Sequence, residues 1–469
     1  MKITTNVEQY KNDIFDMYRA FYPLAELDDN APEIFHTFSK ENNLVTNSFV
    51  FKNGKEEYNL TETTELENYK NELEEKRYTK RAIKLVLYKL LAKINQKNLP
   101  WGSLTGIRPT KIGYELIESG VDPVFVKEVL VDKFLVSEPK AKLVANVIKH
   151  QKSIIKNDNL VDLYINIPFC PTKCSYCSFI SSEYDKVKKI IPNYLDALKK
   201  EIESVKKIIQ EKYYIVRSIY IGGGTPTVLS AEQLEEILSL IKYPVSEFTV
   251  ECGRPDTITK EKLDVLSKYG VTRISINPQT FVEKTLKAIG RNHTTQDVIN
   301  AYKLALNYDF CVNMDIIAGL PGETMIGFKK TIKTLLELAP DNITVHTLAI
   351  KKGSVLIEEG VEENQTTEQM VTYAQTMLQE NDYKPYYLYK LKNQSMGLEN
   401  VGFFRDKVCM FNIDSMEETC SVLACGANAI SKRIYNLENR IERQANMKFA
   451  CDYIANISQA IEKKRELFK

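Results

Sequence analysis

The 469-residue chain carries 63 Lys and Arg against 62 Asp and Glu, and its length suits two or three domains around a large core. Near-zero net charge gives no global field for nucleic acid or an anionic membrane, and no apolar run approaches the length of a membrane span. The start, Met1-Lys2-Ile3-Thr4, lacks the apolar core of an export signal. Nine cysteines in such a chain fit free thiols in a reducing cytoplasm rather than a disulfide framework.

Residues 1–155 contain no cysteine and are predicted to form a separate α+β module. Phe35–Phe51 and Glu57–Thr61 alternate like strands around the turn Asn53-Gly54. From Asn68 to Asn95, Ile83, Val86, Leu87, Leu90, Leu91 and Ile94 recur at helical spacing, as a core-facing stripe does. The loop Trp101–Lys111 holds the only tryptophan, two glycines, Arg108 and Lys111. That composition suits either an anion grip or a contact between domains. Helices are expected to open at Asp122-Pro123 and at Ser137-Glu138-Pro139, and Gln151–Asn159 is a polar linker.

From 160 to 350 strand-like and helical runs alternate. The strands are expected at Val161–Ile167, Arg217–Ile221, Glu247–Glu251, Val271–Asn277, Phe310–Ile317 and Asn342–Leu348. Helices are expected between them, at Pro192–Lys212, Ala231–Ile241, Lys260–Tyr269, Thr295–Asn307 and Met325–Leu338. Six β–α repeats argue for a parallel sheet, open or curled into a partial barrel, with its chemistry at the carboxyl ends of the strands.

Those ends carry unusual residues. After the first strand, Cys170, Cys174 and Cys177 stand at C-x3-C-x2-C spacing, and no fourth cysteine lies nearby. Three thiolates on a short loop can hold an iron–sulfur cube with one iron left open. Cubes normally take four thiolates; structural zinc, and a redox dithiol on Cys174 and Cys177, are the other readings of such thiols. The second strand runs into Gly222-Gly223-Gly224-Thr225-Pro226-Thr227, where absent Cβ atoms permit close approach of backbone to a ligand. Glu251 ends the third strand; Asn277-Pro278-Gln279 follows the fourth; Gly290-Arg291-Asn292-His293 lies in a loop; Asp315 sits near the end of the fifth. Each residue alone has a bland reading, a buried paired carboxylate or an ordinary turn.

Together these residues resemble the radical S-adenosylmethionine (SAM) superfamily, and within it the oxygen-independent coproporphyrinogen III oxidase family. The resemblance rests on the cysteine loop with Tyr164-x-x-x-Pro168-Phe169 before it, on the glycine turn, on Arg291, and on Asp315-Ile316-Ile317-Ala318-Gly319-Leu320-Pro321. The Trp101–Lys111 segment and Asn400-Val401-Gly402-Phe403 are similar to the coproporphyrinogen dehydrogenase, HemZ-like, branch. The resemblance implies an α/β fold: a radical SAM partial (β/α)6 barrel at 160–350, an N-terminal α+β module at 1–155, and a C-terminal substrate-covering domain at 351–469. It implies that Cys170, Cys174 and Cys177 hold a [4Fe–4S] cluster whose open iron takes the amino and carboxylate groups of SAM. Gly222, Gly223, Gly224 and Thr225 would line the methionine portion. Glu251, Gln279, Arg291 and Asp315 would bind carboxylate, ribose or adenine. Tyr164, the catalytic candidate, would lie beside the sulfonium, and Tyr176 near the adenine.

The family's reaction converts two propionates of coproporphyrinogen III to vinyl groups, giving protoporphyrinogen IX. It calls for a reducing electron donor such as flavodoxin or ferredoxin and an electron acceptor that the sequence does not name. Phe179 stands where founding members carry a further cysteine, and Glu251-Cys252-Gly253-Arg254-Pro255 replaces their Glu-x-x-Pro. Another tetrapyrrole substrate, as in anaerobic haem ring opening, stays open. So does a haem-binding chaperone, although the His-Asn-x-x-Tyr-Trp motif expected of such members is missing here. In the C-terminal third, Tyr383, Tyr386, Tyr387 and Tyr389 lie among Lys384, Lys390 and Lys392, with Arg405 and Lys407 beyond. This is either a surface for a flat macrocycle bearing carboxylates or an ordinary strand.

Overall fold

The computed structural model describes residues 1–28, 32–69, 71–151, 154–349, 354–358, 364–391, 397–438 and 440–469. The chain divides into two compact units, one of Met1–Lys149 with Leu388–Glu399, the other of His150–Tyr387 with Asn400–Lys469. The segment 351–469, expected as a domain of its own, is therefore shared between the two.

In the first unit, strand β1 (Lys2–Thr5) runs parallel to β2 (Glu33–Glu41), which continues antiparallel through β3 (Leu44–Asn53) to β4 (Glu56–Glu65). The sequence signalled one turn here, at Asn53-Gly54. A second one separates β2 from β3, with Asn42 at φ +55°, a conformation Asn tolerates better than most residues. Helix α1 (Lys11–Phe21) and the 24-residue helix α2 (Glu72–Asn95) supply this unit's core. Ile83, Val86, Leu87, Leu90 and Leu91 cluster with Ile14 and Met17 of α1 and with Ile34, Phe49 and Phe51 of the sheet. Asn71 caps α2 by accepting from the Glu74 N–H at 3.0 Å.

The Trp101 end of the loop meets a carboxylate of the chain itself. The Trp101 indole donates to Glu399 at 3.0 Å, and Lys140 pairs with the same carboxylate. Lys390 lies 5.6 Å over the Trp101 ring and donates to the Leu104 carbonyl. Burial pushes its ammonium down to about 7.

The second unit contains six consecutive parallel strands: β5 (Leu160–Ile167), β6 (Ile215–Gly223), β7 (Glu247–Glu251), β8 (Arg273–Ser275), β9 (Cys311–Ala318) and β10 (Asn342–Thr347). They neighbour one another in sequence order, joined by helices α3 (Ile191–Glu211), α4 (Ala231–Leu238), α5 (Lys260–Lys268), α6 (Thr295–Ala305) and α7 (Met325–Leu338). Beyond β10 the sheet adds β12 (Glu399–Phe404), antiparallel, then β11 (Lys384–Lys390). Beyond β5 it adds β13 (Ser421–Cys425), parallel, then the antiparallel β14 (Ile430–Tyr435) and β15 (Arg440–Ala445). The C-terminal third thus extends both edges of the sheet.

A parallel sheet covered on both faces by helices reads as a continuous apolar run. These strands alternate instead. Leu163, Ile165, Ile167, Ile219, Ile221, Val250, Ile274, Met314, Ile316, Ile343 and Val345 are all buried on one face. Leu198 and Ile202 of α3, Ile237 of α4, Leu263 of α5, Val298 of α6 and Ile332 of α7 are buried with them. The helices therefore cover the apolar side. The opposite face is polar along its length: Asp162, Tyr164 and Asn166; Ser218 and Tyr220; Glu247, Thr249 and Glu251; Arg273 and Ser275; Asn313 and Asp315; Thr344 and His346. Many of these are buried too, at a cost that only hydrogen bonds or a polar ligand can offset.

Three of the four tyrosines expected as a macrocycle surface are core, and Tyr389 is half-buried. Tyr383 and Tyr386 are 1 % exposed and Tyr387 is 7 % exposed. The Tyr383 hydroxyl donates to the Pro340 carbonyl at 2.6 Å, and Tyr386 accepts from Asn412 at 3.2 Å. Tyr386 and Tyr387 are adjacent on β11 and so point to opposite faces of the sheet, both of them covered. Lys392 lies outside the described residues.

Candidate functional site

The cysteine loop leaves β5 at Ile167 and is tied down at both ends. Phe169–Cys170 pairs with Ser182–Glu183, and Ser175 N–H bonds to the Ile289 carbonyl at 3.1 Å. Thr172 donates to the Gly290 carbonyl at 3.2 Å and accepts from Arg254 at 2.9 Å. Arg254, buried, is itself held by Asp256 through two 3.0 Å bonds. This places Arg254, which stands inside the departure from the Glu-x-x-Pro pattern, as a brace of the loop.

Cys174 is buried, with Cys170 and Cys177 half-buried. Among the described residues only Asp162, Asp414 and Cys420 bring three ligand atoms within 4.8 Å of one another. The three loop thiols stand further apart than one ion needs. Donors are already aimed at the sulfurs. Thr225 Oγ1 reaches Cys170 Sγ at 3.8 Å, the Ser181 hydroxyl also bonds Cys170, and the Phe179 N–H bonds Cys177. Burial pushes the Cys170 thiol up and takes Cys177 to about 11, so these donors compensate only in part until a metal displaces the protons.

The glycine turn serves the protein's own packing first. Gly223, at φ +104°, lies where a Cβ would stand 1.7 Å from Asn166 Oδ1, and one on Gly224 would meet the Phe169 carbonyl at 2.4 Å. The Gly224 and Thr225 N–H groups bond the Ile167 and Phe169 carbonyls at 2.8 and 2.7 Å, locking turn to loop. A Cβ on Gly222 would meet the Glu251 carboxylate and Tyr220, both at 2.9 Å.

Glu251 accepts from the Tyr220 hydroxyl at 2.7 Å. Burial raises its carboxyl to about 7; Tyr220 opposes the rise and Asp315 adds to it. Burial also pushes Asp315 up, but His346, 3.6 Å away, and Asn313, donating at 2.7 Å, outweigh it and hold Asp315 below the usual carboxylate range. Two acids on strand ends separated by β8 are thus driven apart in pKa, a pattern frequent at functional sites. Gln279 bridges to β9, its N–H on the Asp315 carbonyl at 2.9 Å and its carbonyl taking the Ile317 N–H at 3.0 Å. It holds a strained φ of +64°.

Tyr164 donates to Asn166 at 3.1 Å and stacks with Phe411 at 5.9 Å; Phe411 stacks with Tyr220 at 4.5 Å. Tyr176 packs beside Ile289, Ile317, Leu320, Leu348 and Leu356, and its hydroxyl takes a 3.2 Å bond from Arg291. The guanidinium of Arg291 also bonds the Asn277 and Gly253 carbonyls at 2.6 and 3.3 Å. It binds together three strand-end loops.

Ser275 Oγ, Asn277 Oδ1, Gln279 Oε1 and Thr249 Oγ1 are buried here without a hydrogen-bond partner. Orphaned polar atoms at one sheet end fit a polar ligand that supplies their bonds. The strand ends bring all eleven of the nominated positions from β5 to β9 (Tyr164, Gly222, Gly223, Gly224, Thr225, Glu251, Gln279, Asp315, Cys170, Cys174 and Cys177) to the carboxyl side of one sheet, with Tyr176 and Arg291 in the adjoining loops. Tyr220, Asn166, Asn313, His346 and Arg254 were not nominated. The polar residue at every second strand position was the signal that could have found the first four.

The radical SAM superfamily profile matches residues 164–335. The oxygen-independent coproporphyrinogen-III oxidase-like protein HemZ of Bacillus subtilis is 37% identical over 364 residues, 74% of this chain and 73% of that one. The heme chaperone HemW of the same organism is 36% identical over 200 residues, 41% of this chain and 51% of its own. The solved structure of coproporphyrinogen III oxidase (HemN) from Escherichia coli superimposes with a TM-score of 0.52 at 22% identity, covering 68% of this chain and 72% of that one, a likeness of fold.

Proposed function

From the premise that the chain belongs to the oxygen-independent coproporphyrinogen III oxidase-like family of the radical SAM superfamily, we propose that it oxidatively decarboxylates two propionates of coproporphyrinogen III to vinyl groups. No helix among the described residues is long and apolar enough to cross a membrane. The family uses a [4Fe–4S] cluster and SAM, which together supply a 5′-deoxyadenosyl radical able to take a hydrogen atom from substrate. The observation that carries the reading is the polar sheet face ending in orphaned Ser275, Asn277 and Gln279, on the carboxyl side of the sheet from which the cysteine loop leaves with its Thr225 donor.

Cys170, Cys174 and Cys177 are the ligands in this reading. Arg254 and Arg291 keep the loop and the strand ends in register, as the pre-organisation of a reacting geometry requires. Glu251, ionised above about pH 7, would accept from the SAM ammonium or ribose, and Asp315, held anionic by His346, would take a second polar group. Tyr164 and Phe411 wall the reacting side and exclude water. At the substrate, a propionate β-carbon loses a hydrogen atom, carbon dioxide departs, and one electron passes to an acceptor, leaving a vinyl group. The sequence occurs twice and yields protoporphyrinogen IX. The similarity to a heme chaperone favours a second reading, haem binding without turnover.

The test is anaerobic reconstitution with iron and sulfide, reduction, and incubation with SAM and coproporphyrinogen III. The reading expects 5′-deoxyadenosine and a product lighter by two formic-acid equivalents, with both lost in Cys174→Ala. Deoxyadenosine without porphyrinogen conversion refutes the substrate and keeps the class. Haem bound stoichiometrically with neither product supports the chaperone reading.

A further inference from the structure

We propose that the solvent-facing run Phe179–Lys189 is the docking surface for a small acidic one-electron carrier protein that reduces the cluster; this rests on the three cysteines holding that cluster. Phe179 immediately follows the loop, and its ring is 72 % exposed, while its own N–H bonds the Cys177 sulfur. Ser181, whose N–H returns to the Phe179 carbonyl at 3.1 Å, bonds the Cys170 sulfur through its hydroxyl. Ser182 N–H is fixed to the Pro168 carbonyl at 2.8 Å. The run is therefore laid over two of the three ligand sulfurs, one hydrogen bond from each, with an aromatic ring turned to solvent. Electron transfer falls steeply with distance, and this surface lies two residues along the chain from Cys177 and pairs with the Phe169–Cys170 strand.

Charge chooses the partner. Lys173, Lys186, Lys188 and Lys189 are all exposed, against Glu183 and Asp185 on the same stretch. Glu183 is engaged by Lys186 at 2.9 Å, and among the described residues no carboxylate pairs with Lys188 or Lys189. The run itself carries an excess of one positive charge, and Lys173 of the cysteine loop adds a second, on a chain whose net charge is +1. Such a patch steers an acidic partner and raises its on-rate at low salt, and an exposed aromatic ringed by lysines suits the small, transient interfaces of redox partners. In the encounter the carrier is oxidised by one electron and the cluster is reduced by one; no bond forms or breaks and no proton moves.

An acidic flavodoxin is the probe. Its binding to the metal-free and to the reconstituted protein is measured calorimetrically, and cluster reduction by its hydroquinone is followed by visible absorbance. Lys186→Glu/Lys188→Glu/Lys189→Glu is expected to weaken binding to both forms at least tenfold and to slow reduction by a similar factor. Phe179→Ser is expected to slow reduction with a smaller loss of binding. Dithionite should reduce the variants as fast as the parent, and added salt should weaken parent binding. Lys329→Glu/Lys330→Glu/Lys333→Glu, in the basic groove of α7 beside Tyr373, should change nothing. Parent-like binding by the first triple variant overturns the proposal, as does an equal loss in the α7 variant. A parent protein that forms no cluster reducible by dithionite overturns the cluster reading as well, which separates the two failures.

Discussion

Replacing Gly223 by alanine tests how the glycine turn works. The residue sits at φ +104°, where a non-glycine side chain costs roughly 1–3 kcal/mol. Its new Cβ would also stand 1.7 Å from Asn166 Oδ1, so the Asn166 amide must move. That movement breaks its bond to the Ala427 carbonyl and the one it accepts from Tyr164, at about 1 kcal/mol each. The sum is about 3–5 kcal/mol in the second unit. Gly322 is the control, because it too has a positive φ, +68°, but a Cβ there meets nothing within 4 Å, so Gly322→Ala carries the backbone strain alone. Urea denaturation followed by circular dichroism compares the two. The Asn166→Ala/Gly223→Ala pair should cost less than the sum of its single changes, since the clash is then gone. If Gly223→Ala costs no more than Gly322→Ala, the close approach to Asn166 is not what the glycine is for.

Two further changes probe charge. Glu251 has its folded carboxyl raised from 4.5 to about 7 by burial, so its ionisation opposes folding. The stability it contributes is complete below about pH 4.5 and is lost as pH rises through 7, by at most about 3 kcal/mol at 1.36 kcal/mol per unit. Glu251→Gln should therefore gain on the parent in urea midpoints between pH 5 and pH 8; a gap that does not grow with pH removes the burial argument. In the first unit, Glu399→Ala leaves the Lys140 ammonium and the Trp101 indole without their shared acceptor, a loss of about 3–5 kcal/mol. Fluorescence of Trp101, the chain's only tryptophan, reports that unit directly, and an unshifted transition contradicts the cost.

The strand–helix alternation from 160 to 350 was legible because a parallel sheet demands crossover helices, and hydrophobic runs at two periods mark both. All six strands and all five crossover helices stand within a few residues of where periodicity puts them. The cysteine loop was legible as spacing alone, a local property of eight residues. The braces of that loop were not. Thr172 meets Arg254 across 82 residues and Gly290 across 118, and nothing in a short window announces such partners. The tyrosines of β11 show the converse limit: alternation reports that a strand has two sides, not that both are covered.

By itself, then, the sequence determined the repeat, the thiol spacing and the strand ends at which chemistry would gather, because each follows from local periodicity and turn chemistry. Only the tertiary structure decided that the polar face is largely buried and carries orphaned groups. It also set the carboxyls of Glu251 and Asp315 on opposite sides of their usual range, and placed Ser421–Cys425 beside β5 in the same sheet. Those outcomes depend on desolvation and on contacts between residues far apart in the chain, terms that exist only once the strands lie side by side.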